Sequence, residues 1–128
     1  MDKQKIVIIS SETSVRRLIK KALGLDYIYF EAEGGKQVLG LIRRQKPDLV
    51  LVDILMSQTY DFTIPQSIKN EETGRVIPVI ILTGSINNFG DSPTLHTGAD
   101  GYLDKPLDIG QLRRDIKNYL AGNWQRRN

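Results

Sequence analysis

The chain has 128 residues, 40% hydrophobic and 26% charged, with a formal net charge of +3, the size and composition of one soluble folded domain with a proper core. It has no cysteine, which excludes disulfides, thiolate metal sites and thiol catalysis, and its single His96 excludes a histidine-cluster metal site. Apolar runs stop far short of a membrane span, and so mild a positive charge does not argue for nucleic-acid binding.

The run Lys5-Ile6-Val7-Ile8-Ile9 predicts a buried strand, and nothing ahead of it reads as a secretory leader. Ser10 or Ser11 can cap the helix that follows, with Glu12 in its first turn. That helix runs to about Leu23, with Val15, Leu18, Ile19, Ala22 and Leu23 inward and Arg16, Arg17, Lys20 and Lys21 outward. Gly24 stops it. A second strand at 27–32 and a turn at Gly34-Gly35 precede a helix that turns Val38, Leu39, Leu41 and Ile42 inward and Arg43, Arg44 and Lys46 outward; Pro47 ends it. The stretch Asp48-Leu49-Val50-Leu51-Val52-Asp53 predicts a strand buried on both faces and ending on a carboxylate.

After Asp53, residues 54–60 read as a loop and 61–70 as a helix, with Pro65 tolerated near its first turn. Residues 71–76 are polar, contain Gly74 and read as a loop. Ile77-Pro78-Val79-Ile80-Ile81-Leu82 predicts a fourth buried strand ending at Thr83-Gly84. Residues 85–98 oppose a regular helix, carrying Gly90 and Pro93 with sparse apolar positions, and predict a short or broken one. A fifth strand at 101–103 leads to Asp104-Lys105-Pro106. The last helix, 109–120, buries Ile109, Leu112, Ile116 and Leu120 and exposes Arg113, Arg114 and Lys117; 122–128 reads as a frayed tail.

Strand alternates with helix throughout, which calls for one α/β domain over 1–128 (core 5–121) with a parallel sheet and helices on both faces. Open sheets of this kind bind ligands outside the carboxyl ends of their strands. Ser10 and Ser11, Asp53, Thr83 and Lys105 each lie just after or at the end of a strand, so they converge on that edge. Together they suit an anionic group attached covalently to the carboxylate: Asp53 accepts a phosphoryl group, Lys105 pairs with one phosphate oxygen and Thr83 donates to another.

Three segments, 46–53 (Lys-Pro-Asp-Leu-Val-Leu-Val-Asp), 77–84 (Ile-Pro-Val-Ile-Ile-Leu-Thr-Gly) and 98–106 (Gly-Ala-Asp-Gly-Tyr-Leu-Asp-Lys-Pro), resemble the response-regulator receiver domains of two-component signalling. The resemblance covers nearly the whole chain. It implies a single flavodoxin-like (βα)5 doubly wound domain with a parallel five-stranded sheet of order 2-1-3-4-5. It further implies that Asp53 stands at the phospho-acceptor position, Thr83 at the switch hydroxyl, Lys105 at the motif lysine and Tyr102 at the aromatic switch. The Lys105–Pro106 bond is commonly cis in such domains.

The departures from the family pattern shape the functional expectation. The family usually ends its first strand with two acidic residues that hold Mg²⁺ together with the acceptor aspartate; here Ser10 and Ser11 stand there. Mg²⁺ favours hard, anionic oxygens in near-octahedral geometry, and neutral hydroxyls replace carboxylates poorly. Only Asp53, a backbone carbonyl near Leu55 and waters would remain as ligands, and Glu12 lies one residue too late to substitute. The expectation is a metal-free site with Asp53 paired directly to Lys105, no cofactor, and Mg²⁺ only if the site proves functional. The loop 56–61, and Gly90 and Pro93 in 85–98, suggest an altered output face.

The chain therefore reads as a pseudo-receiver acting through protein contacts. The alternative is a phosphorylation-dependent receiver that takes a phosphoryl group from a histidine kinase onto Asp53. An independent enzyme is not expected: there is no Gly-x-Gly-x-x-Gly after the first strand, no Walker A motif and no histidine base for Ser10 or Ser11. Expected partners are a sensor histidine kinase or another signalling protein. Arg16, Lys20, Arg113, Arg114 and Lys117 could form a basic face for an acidic partner or a second copy (a homodimer), with plain solvated charge the favoured reading. No nucleic acid, output domain or membrane contact is expected within these residues, and the expected location is cytoplasmic.

Overall fold

Three aliphatic strands, flanked by an aromatic-rich strand at one edge and a short mixed strand at the other, assemble into a parallel sheet between two helical layers. The computed structural model describes residues 2–53, 55–56, 59–60, 63–83 and 98–122. Along the chain, β1 (Gln4–Ile9), α1 (Thr13–Leu23), β2 (Tyr27–Ala32), α2 (Val38–Gln45) and β3 (Leu49–Asp53) come first. A two-stranded antiparallel hairpin follows, β4 (Leu55–Met56) with β5 (Thr59–Tyr60). Then come α3 (Thr63–Asn70), the short α4 (Glu72–Arg75), β6 (Val79–Thr83), β7 (Gly101–Asp104) and α5 (Ile109–Leu120).

The main sheet has the order β2-β1-β3-β6-β7, every pair parallel. Counting only its own strands this is 2-1-3-4-5, the flavodoxin-like order expected. Alternation along each strand sends side chains to two separate cores. Val7, Ile9, Val50, Val52, Val79 and Ile81 pack with Val38, Ile42, Ile64 and Ile68 on the α2–α3 side. Ile6, Ile8, Leu49, Leu51, Ile80 and Leu82 pack with Ile19, Ala22, Leu112 and Ile116 on the α1–α5 side. The central strands β3 and β6 are buried throughout, which accounts for their unbroken aliphatic sequences. Among the described residues no helix is long and apolar enough to cross a membrane.

Several expectations need correction. Neither serine caps α1 by the usual route: Glu12 is the N-cap residue, without a side-chain cap bond, and its N–H donates to the Ser10 hydroxyl at 3.1 Å. Arg16, expected outward, is buried, whereas Leu18, expected inward, is substantially exposed. Position 16 shares a helix face with Ile19 and Leu23, so the guanidinium enters with the apolar stripe and is satisfied there by oxygens. Ile109 is also exposed; it opens α5 one turn before Leu112, where Asp108 caps the helix by accepting from the Gln111 N–H at 2.8 Å.

Two segments expected to be loops contain regular structure. Residues 54–60 contain the β4–β5 hairpin, whose two-residue strands are too short to show a period. Residues 71–76 contain α4, whose Gly74 comes so close to α3 that a Cβ there would lie 2.1 Å from the Ile68 carbonyl oxygen. Gly24 does end α1, with φ of +83° and its N–H on the Lys20 carbonyl at 2.9 Å. The expected break in 85–98 falls almost entirely outside the described residues, as do 61–62 at the expected start of the third helix and 123–128 of the expected tail.

Candidate functional site

Parallel register brings the strand ends to a common edge. Asp53, the last residue of β3, pairs with Leu82, and Thr83, the last of β6, pairs with Asp104. The Lys105 N–H donates to the Thr83 carbonyl at 2.7 Å, so the chain leaving β7 stays bound to the end of β6. On the other side of β3, the Ser10 N–H donates to Ala32 at 3.0 Å and ties the end of β1 to the end of β2. The peptide bond between Lys105 and Pro106 is cis, as expected.

Asp53 sits at the centre, with 0% of its surface exposed. An isolated carboxylate so placed would be strongly unfavourable, and it persists because it is paired and hydrogen-bonded. The Lys105 ammonium donates to one carboxylate oxygen, Oδ1, at 2.8 Å. The Ser10 hydroxyl donates to the other, Oδ2, at 3.0 Å. Ser10, itself fully buried, also accepts the Glu12 N–H, so its hydrogen is committed to Asp53 while one lone pair is committed to the start of α1. Thr83 is buried at the neighbouring strand end. Ser11 is half-buried beside Ser10. Tyr102 lies on the exposed face of β7, in register with Ile81, two residues before Thr83.

Arg16 is a neighbour that sequence reasoning placed in solvent. Its Nη1 donates to the Ser10 carbonyl, its Nη2 to Thr13 Oγ1 at 3.2 Å and its Nε to Glu31 at 3.0 Å. Glu31 is shared with Lys20, whose Nζ lies 2.8 Å away. The Lys20 hydrogen bond, opposed by partial burial and reinforced by Arg16, holds the Glu31 carboxyl below the usual carboxylate range. The spacing of Arg16 with Ile19 and Leu23 points inward and its charge points outward, and the oxygens of Ser10, Thr13 and Glu31 decide between them.

The donor set is a poor match for Mg²⁺. The cation requires several hard oxygens, anionic ones by preference. Of the positions that would supply them, one is Asp53, both of whose oxygens are engaged, and one is a hydroxyl pointing its hydrogen at Asp53. Among the described residues no group of three or more His, Cys, Asp or Glu side chains could hold a metal ion. The residues present do not fit the ion that the family's usual acidic pair would bind.

Comparison with known proteins agrees with the fold. The family model for the response regulator receiver domain matches residues 6–117. A protein named Histidine kinase P4 from Formosa agariphila is 33% identical over 124 residues, covering 97% of this chain and 9% of that protein. Probable transcriptional regulator ycf27 of Porphyridium aerugineum is 31% identical over 122 residues, 94% of this chain and 49% of that protein. The chain therefore spans half or less of the length of these relatives. A crystal structure of a response regulator receiver modulated diguanylate cyclase from Pelobacter carbinolicus superposes with a TM-score of 0.76 at 29% identity, covering 93% of each chain.

Proposed function

The chain belongs to the response regulator receiver family and is a receiver domain of two-component signalling, and from that premise we propose that it signals through protein contacts, with Asp53 held in a metal-independent site. The observation that carries the reading is the Ser10 hydroxyl on Asp53 Oδ2 at 3.0 Å, where an acidic side chain would repel Asp53 and call for a cation. One carboxylate facing one ammonium is already neutral. Phosphoryl transfer depends on neutralising the charge of the moving group, and a site without its divalent ion lacks most of that stabilisation. In this reading Lys105 and Ser10 hold Asp53 in one state, and Thr83 and Tyr102 keep the switch positions without a phosphoryl group to drive them. The partner is a histidine kinase or another signalling protein, and the domain turns over no substrate of its own.

A second reading, in which Asp53 accepts a phosphoryl group from a histidine kinase, is favoured by the 2.8 Å contact with Lys105 and by Thr83 at the adjacent strand end. Incubation with acetyl phosphate and Mg²⁺, followed by intact-mass measurement, separates the two. The expected result is no Mg²⁺-dependent adduct. A near-stoichiometric phosphoryl adduct that disappears in Asp53→Asn would establish the second reading and overturn the first.

A further inference from the structure

Of the two edge strands of the main sheet, β2 and β7, β2 is the longer, with no strand beyond it among the described residues. Its sequence, Tyr27-Ile28-Tyr29-Phe30-Glu31-Ala32, contains neither proline nor lysine, residues by which proteins often blunt such an edge, and its one charge, Glu31, is paired within the chain. Ile28 is 40% exposed, and Tyr27, Tyr29 and Phe30 are only half-buried. The Ala32 carbonyl accepts the Ser10 N–H, so Ala32 and the residues two and four before it turn their main chain toward β1. By alternation Tyr27, Tyr29 and Glu31 turn their N–H and C=O groups outward.

We propose that β2 pairs antiparallel with β2 of a second copy of this chain, about a two-fold axis at Tyr29, joining two sheets into one. With Tyr29 opposite Tyr29, Tyr27 meets Glu31 of the other copy. These are the outward-facing residues, so each of the three exchanges both of its main-chain groups. The intervening pair is Ile28 opposite Phe30, on the α2–α3 face, which brings the exposed isoleucine against a half-buried aromatic ring. Charge does not oppose the pairing. Each Glu31 carries its own cations, Lys20 at 2.8 Å and Arg16 at 3.0 Å, so two neutralised carboxylates approach the interface rather than two bare ones. The apolar Ile28–Phe30 pairing on both sides of the axis and the Glu31 carboxylates already neutralised within each chain are what fit a second copy as the occupant. The inference concerns the sheet edge alone and stands apart from the chemistry of Asp53.

The test is sedimentation velocity of the full chain across about three decades of concentration, combined with amide hydrogen exchange at each end of the range. The expected result is a monomer–dimer equilibrium in which the Tyr27, Tyr29 and Glu31 amides become protected as the dimer forms. Ile28→Lys, which sets like charges near the axis, should weaken association at least about tenfold. A chain that stays monomeric throughout overturns the proposal, as does a dimer whose three outward amides exchange as in the monomer. Because the exchange measurement uses the unmodified protein, it decides even if the lysine variant folds poorly.

Discussion

Ser10 carries more of the site's behaviour than its size suggests. Replacing Ser10 and Ser11 together by Asp should create the acidic set that Mg²⁺ requires, and titration calorimetry should then show binding that the unaltered chain lacks. No binding by a folded double variant would mean that the missing carboxylates are not the cause. Without the ion the same variant should melt at lower temperature, because a second buried carboxylate would face Asp53 where a hydroxyl now donates at 3.0 Å; added Mg²⁺ should reverse the loss. Glu31 offers a different handle. Its folded pKa lies below the ordinary carboxylate value, so its stabilising share is present above that ordinary value and is lost as pH falls through the folded one. Glu31→Gln should therefore lower the melting temperature at neutral pH, modestly because the carboxylate is partly exposed, and the gap should close as the pH falls through the lowered folded pKa. At this scale Asp53, Thr83 and Lys105 were legible in sequence because each ends or follows an aliphatic run. Arg16 was not, because a guanidinium can enter a core when enough oxygens meet it.

Among the elements, α4 shows best how a local pattern misleads. Its four residues, Glu72–Arg75, are polar with a glycine, a composition that argues for a loop. The glycine serves close approach to α3 instead: a Cβ at position 74 would lie 2.1 Å from the Ile68 carbonyl oxygen and 2.8 Å from its Cγ2. Gly74→Ala would gain about 1 kcal/mol of helix propensity. It would also push a methyl into a backbone atom that cannot rotate away, a clash costing about 1–3 kcal/mol or more. The clash should win, and thermal or urea unfolding should show net destabilisation; an unchanged or raised melting temperature would mean that α3 and α4 separate freely. The longer elements were legible because burial wrote a clear period into them, as in the fully buried β3 and β6. The β4–β5 hairpin was not, since two-residue strands held by main-chain bonds leave no side-chain pattern.

For the whole molecule, the doubly wound topology follows from the alternation of strand and helix, and the order of strands from the two-sided burial of the central ones. The basic face anticipated across α1 and α5 is only partly real. Arg16 is inside and Lys20 is paired with Glu31, which leaves Arg113, Arg114 and Lys117 as the exposed remainder of that set, Arg113 also donating from Nε to the Ala22 carbonyl at 2.6 Å. Pairing partners across the fold cannot be read from one helix's periodicity, because they depend on which strand end lies beside which turn. Joining two sheets at β2 would send their two Asp53 edges in opposite directions, leaving both open to other proteins.

The Ser10 hydroxyl links Asp53 to the amide that begins α1, donating to the carboxylate and accepting from the amide. Aligned peptides place roughly half a positive charge at the start of a helix. Through this single oxygen, part of what steadies the Asp53 carboxylate is backbone and therefore permanent: a chelator cannot strip it, and it does not vary with the ionic composition around the protein.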